Sequence, residues 1–188
     1  FPELPSSPLR KEIEKFPWVE STKSLRSWER GETGYPIVDA GMRELWSTGW
    51  MHNRVRMIVA SFLIKDLLIN WRCGEKWFRD CLVDADLASN SASWQWVAGC
   101  GADADPYYRI FNPTTQAKRF DPYGSYVRHW IPEISGLSNK LVHTPWLAKP
   151  IELSDAGITI GNNYPKPLVD HSEARKKALD SYKLLKSN

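Results

Sequence analysis

Residues 35–71, YPIVDAGMRELWSTGWMHNRVRMIVASFLIKDLLINW, decide the fold class. Pro36 stands where a first helical residue belongs, because the N–H it lacks is one that a helix start leaves unpaired and its φ is preset. Asp39 falls in the first turn, where a carboxylate meets the positive end of the helix dipole. Val38, Met42, Leu45 and Trp46 recur at helical spacing, and Gly49 supplies a stop. The remainder, from Met51 on, reads as one mostly buried helix of about five turns that closes near Arg72 and Gly74.

Outward from this stretch the helical period continues. Two shorter helices are expected at 75–82 and near 91–98, the second stopped by Gly99. Residues 105–124, DPYYRIFNPTTQAKRFDPYG, are dense in Pro, Asp, Tyr and Gly and predict an ordered loop tract. In DHSEARKKALDSYKLLK, 170–186, Asp170 is an N-cap with Glu173 three residues on, ahead of a basic helix. No repeat, low-complexity linker or strand-period run supports a sheet. The class is all-α, in one domain or a large part of one.

Hydrophobic residues make 42% and charged residues 25% of the 188, a globular balance. The net charge of +3 does not by itself argue for nucleic acid, but its distribution is uneven. Asp84 to Asp105 holds four acids and no Lys or Arg, whereas 107–150 holds six basic residues against two acids. The three cysteines, Cys73, Cys81 and Cys100, fall in no CxxC spacing. That pattern suits reduced, buried thiols in a cytosol-like compartment better than a disulfide frame or a zinc site. The longest apolar run, MIVASFLI at 57–64, is far short of the roughly 20 residues a membrane span needs, and no membrane partner is expected.

Two clusters bear chemistry. Asn53 and Met57, at i and i+4, share a helix face that Arg56 does not. An amide beside a thioether suits a flat heterocycle, although Met57 as core filler and Asn53 as a helix-start residue would also satisfy the spacing. DADLASNSASWQWVAG, 84–99, crowds two carboxylates, an amide-rich turn and two indoles into sixteen positions. Arg56 with Asp84 or Asp86 could be an ordinary ion pair. Two carboxylates without a third oxygen-rich cluster are too little for Mg²⁺ or Ca²⁺, so no metal site is expected.

TGYPIVDAGMREL, GWMHNRVRMIVASFLIKDLLINW, DADLASNSASWQWVAG, RIFNPTTQAKRFD and YVRHWIPE, in this order, resemble the photolyase and cryptochrome family. The similarity is to the helical FAD-binding domain of the class I cyclobutane pyrimidine dimer photolyases and runs from about Trp18 to Lys176. Residues 1–188 would then be the C-terminal portion of that domain. The N-terminal α/β domain, on which a folate or deazaflavin antenna pigment is expected, would lie outside the chain.

The resemblance implies roles for particular residues. Arg56, Asp84, Ala85, Asp86 and Asn90 would hold FAD, with Arg56 paired to Asp84 against the ring system and Asn90 facing flavin N5, where plant cryptochromes carry an acid. Trp94, Trp71 and Trp18 would form an electron-transfer chain, proximal to distal. Asn53 and Met57 would touch the dimer in place of the histidines of photolyases for the (6-4) lesion. DNA would be met by Asn53, Arg54, Trp96, Arg109, Gln116 and Lys118. Trp28, Trp46, Trp77, Trp130 and Trp146 are assigned to core packing. The implied protein repairs UV-damaged DNA by light-driven electron transfer, as a monomer, in the cytoplasm or nucleoid, or in a nucleus or organelle. A cryptochrome-like photoreceptor and a flavin-free helical nucleic-acid-binding module are the alternatives.

Overall fold

The computed structural model describes residues 2–103 and 109–187. Among them the chain forms α1 (Thr22–Glu29), α2 (Pro36–Thr48), α3 (Asn53–Ser61), α4 (Trp71–Cys81), α5 (Leu87–Ala98), α6 (Pro113–Phe120), α7 (Ser125–Trp130), α8 (Pro150–Asp155) and α9 (His171–Ser187). The all-α class holds: the nearest thing to a sheet among the described residues is one isolated bridge between Ile160 and Tyr164. The chain divides into two compact units.

The first unit comprises Phe1–Thr22, Ala60–Ile110 and Val169–Asn188. Here the expected single long helix is broken. α3 ends at Ser61, Phe62–Asp66 forms a widened π turn in which Leu67 N–H donates to the Phe62 carbonyl, and Leu68 takes φ 55°. Asn70 then restarts the chain as the N-cap of α4, its side chain accepting from Arg72 N–H. Every residue from Phe62 to Ile69 is buried, so the segment has no polar face whose period could mark the break. The Leu68 carbonyl accepts from Val19 N–H at 2.8 Å. α9 starts as expected, with Asp170 accepting from Glu173 N–H, and His171 Nδ1 lies 2.5 Å from Asp66 Oδ1 in the π turn. Burial pushes the Asp66 carboxyl up, and the His171 contact opposes it.

The second unit comprises Lys23–Val59 and Phe111–Leu168. α2 begins at Pro36 and ends at Gly49, which takes φ 69°, as expected. Gly41 is where α2 meets α3: a Cβ there would lie 2.4 Å from Val55 Cγ1, so only hydrogen permits that approach. The buried Asp39 accepts from Thr33 N–H and O–H, each at 2.6 Å, from Gly34 N–H at 3.0 Å and from Tyr164 O–H at 2.9 Å. Burial pushes its carboxyl up to about 6, and the hydrogen bonds with Thr33 and Tyr164 hold it from rising further. Tyr126 O–H donates to Glu44, and Asp121 caps α7 through Tyr126 and Val127 N–H. The expected loop tract is corrected here. Its residues 105–108 lie outside the described ones, and the rest contains α6, opened by Asn112, which accepts from Thr115 N–H, and by Pro113.

Candidate functional site

In the first unit the segment between α4 and α5 stands out by exposure. Val83 to Ser89 are exposed without interruption, Val83 at 80% and Leu87 at 47%, with Asp84 and Asp86 among them. Asp86 Oδ1 accepts from Ser89 N–H at 2.7 Å, which caps α5 and holds its carboxyl below the usual range. Leu87, the first residue of α5, is large and exposed, and the exposed positions after it, Ala88, Ser89, Ala92 and Ser93, are all small. A flat group can reach the helix there without meeting a long side chain.

Asn90 borders this strip and is held from behind. Its Nδ2 donates to the Glu75 carbonyl at 2.9 Å and to Glu75 Oε1 at 3.2 Å, while Ser91 O–H donates to the same Oε1. With the amide N–H groups committed to Glu75, Oδ1 is the end left to accept a hydrogen bond. Glu75 was not singled out from the sequence. It lies mid-helix, and only its burial at 3% exposure marks it.

Trp18, Trp71 and Trp94, the three expected to carry electrons, all belong to this unit. Trp94 is buried, edge-on to Phe78 with centroids 5.0 Å apart. Gly74 of α4 faces it so closely that a Cβ would lie 2.1 Å from its ring. Trp71 is fully buried at the start of α4, and its Nε1 has no hydrogen-bond partner among the described residues. Trp18 is half-buried, its ring 4.6 Å from Phe16. Of those assigned to packing, Trp28 fits, donating from Nε1 to the Val59 carbonyl, but Trp46 does not: it is 71% exposed although it follows the apolar spacing of α2. Only Cys100 is a buried thiol, pushed up to about 12 by burial, and Cys73 and Cys81 are half-buried.

The second unit carries the other candidates. At the start of α3, Asn53 is exposed, Met57 is half-buried, and Arg56 Nε donates to the Met51 carbonyl at 2.7 Å. The Arg54 guanidinium lies 4.8 Å from the centroid of the Phe120 ring, and that of Arg119 5.3 Å from it. Phe120, 48% exposed, thus has two cations near its ring at the end of the helix that carries Gln116 and the exposed Lys118. Sequence reading passed over Phe120 and Arg119, although an aromatic beside basic residues was the available signal. Arg54, Gln116 and Lys118 share this unit, whereas Trp96 and the exposed Arg109 belong to the first. Arg56 and Asp84 likewise fall in different units.

Residues 1–184 match the family described as the FAD binding domain of DNA photolyase, and the chain belongs to that family. It is 58% identical, over 99% of its length, to the deoxyribodipyrimidine photo-lyase of Agrobacterium fabrum, of which it spans 39%. Cryptochrome-1 of Arabidopsis thaliana is 47% identical over 89% of the chain, which covers 25% of that protein. A crystal structure of a bacterial class III photolyase from Agrobacterium tumefaciens superposes on all of this chain and 39% of its own, with a TM-score of 0.97 at 57% identity. That structure's class differs from the class I that the motifs resemble.

Proposed function

We propose that this chain is the cofactor-holding part of an enzyme that repairs cyclobutane pyrimidine dimers in DNA, driven by light. The observation that carries the reading is the bare Val83–Ser89 strip with its two carboxylates, followed by the small exposed residues of α5. Val83 and Leu87, at 80% and 47% exposure, leave two large apolar side chains uncovered beside those carboxylates. FAD fits: Asp84, Ala85, Asp86 and Asn90 border a face that a planar ring can approach. When bound and reduced, FAD supplies the electron that light sends to the substrate.

The chain's own residues do the rest. Asn90, fixed by Glu75, offers Oδ1 to a ring N–H. Arg56 contributes a cation that favours an anionic ring. Asn53 and Met57 pack and hydrogen-bond the lesion without moving protons, as ring opening by electron transfer requires. Arg54, Arg109, Gln116 and Lys118 neutralise or bind the DNA backbone, which makes binding salt-sensitive. Trp96 stacks beside the flipped dimer, whose weakened stacking lowers the cost of leaving the duplex. Trp94, Trp71 and Trp18 refill the oxidised cofactor from the surface. In this reading a folate or deazaflavin antenna sits on a further domain, and the protein works as a monomer in the cytoplasm or nucleoid, or in a nucleus or organelle.

The similarity to Cryptochrome-1 favours one second reading, a blue-light photoreceptor. The test is blue-light loss of dimers from irradiated DNA by the FAD-loaded protein and by Asn53→Ala. Repair per flavin falling about tenfold in the variant, equal to about 1.4 kcal/mol, with flavin content unchanged, supports repair. No light-dependent repair by the unaltered protein overturns it in favour of the photoreceptor.

A further inference from the structure

Arg72 follows Trp71 in α4, and its guanidinium carbon lies 4.8 Å from the centroid of the Trp71 ring. The group is clamped rather than free. Its Nε and one terminal nitrogen donate to the Ser6 carbonyl at 2.9 and 2.6 Å, and its two terminal nitrogens reach the Glu14 carboxylate at 3.2 and 2.5 Å. Trp71 is fully buried with no partner for its indole N–H among the described residues, whereas Trp18 is half-buried.

These contacts treat two charge states of one ring in opposite ways. A cation near an electron-rich ring is attracted to it. Once the ring has lost an electron, the same cation repels it. An oxidised indole is also far more acidic than the neutral ring and is trapped by losing its N–H proton, and among the described residues none accepts that proton from Trp71. Trp18, with access to water, has an acceptor.

We propose that Arg72 is a positioning residue for electron transfer, which denies the positive charge a resting place on Trp71 and drives it outward to Trp18, with Glu14 setting the strength of that drive. This rests on the assignment of Trp94, Trp71 and Trp18 as the chain. An electron passes from Trp71 to oxidised Trp94, restoring it, and then from Trp18 to oxidised Trp71, restoring that ring in turn. Trp18 releases its indole proton to water and remains a neutral radical until an external thiol returns a hydrogen atom. Glu14 partly neutralises Arg72, so removing either partner moves the charge on Trp71 in opposite directions.

The experiment is flash absorption spectroscopy of the FAD-loaded protein without added reductant. It reads the fraction of flashes that yield a deprotonated tryptophan radical, and the lifetime of the protonated one. Arg72→Met should cut the long-lived deprotonated yield at least threefold, and Arg72→Lys, which keeps the charge, should restore most of it. Glu14→Gln should shorten the protonated lifetime without lowering the yield. A merely structural role would shift Arg72→Met and Glu14→Gln the same way, since each breaks the same ion pair, and that result overturns the proposal. So does Arg72→Met with unchanged yield. Trp71→Phe is the separate control: normal photoreduction there would remove the tryptophan chain itself, whereas lost photoreduction there with a failed Arg72 series would remove only the role of Arg72. The pair is part-exposed, at 30% and 45%, so its loss is compatible with folding.

Discussion

Asp39 in the second unit is fully buried and receives hydrogen bonds from Thr33, Gly34 and Tyr164, whereas Asp86 in the first is exposed and uses one oxygen to start α5. One carboxylate has every lone pair engaged by its own chain. The other keeps acceptor capacity within an exposed strip. The difference separates scaffold from site: where the fold has already satisfied a polar group, it holds the structure, and where it has left capacity at the surface, something else can use it.

Four experiments test that separation. Asp39→Ala leaves the donors of Thr33, Gly34 and Tyr164 without an acceptor in a buried place, and should cost about 4 kcal/mol by urea denaturation. A loss under 1 kcal/mol would show the network to be dispensable. The second uses pH. The Asp39 carboxyl is raised from 3.8 to about 6, so between those values the native chain keeps a proton that the unfolded chain has released. Its contribution is therefore full below about 4, falls as pH rises through about 6 and is flat above, by a total on the order of 3 kcal/mol. Subtracting the stability profile of Asp39→Asn isolates that slope, and the absence of a slope in the difference would contradict the assignment.

Gly74→Val comes next. Its side chain would collide with the Trp94 ring and with Leu63, costing about 2 kcal/mol and altering the near-ultraviolet circular dichroism of the tryptophans. An unchanged spectrum would mean that Trp94 is not confined by α4. The smallest effect belongs to the exposed carboxylate: Asp86→Ala removes the cap of α5 and should lower Tm by about 2–4 °C while FAD retention falls with it. Retention unchanged at the lower Tm would leave Asp86 as a cap alone.

Elements with punctuation were readable before any coordinates. Pro36 and Gly49 bound α2, Gly99 ends α5, and Asp170 with Glu173 opens α9, because each acts through its own backbone preference or side-chain hydrogen bond. The break at 62–70 was not, since a segment buried on every side loses its period, and the left-handed residue there is a leucine rather than a glycine. α6 was hidden by its own start signal: Asn112 and Pro113 read as turn residues as readily as a cap and first helical residue. The crowding of Asp84, Asp86 and Asn90 with indoles marked their stretch, and the resemblance to the family supplied the roles proposed for them. Glu75, Gly74, Arg72 and Phe120 matter through contacts with residues distant in sequence or through burial, which spacing does not encode.

The hydrogen bond from Val19 to Leu68 has a consequence for speed. It ties the residue after Trp18 to Leu68, which lies three residues before Trp71, is buried and takes φ 55°. Tunnelling between rings falls exponentially with the gap, so thermal breathing of an untethered segment would spread the rate over a wide range. In the proposed electron transfer from Trp18 to Trp71, a tether at this point narrows that spread.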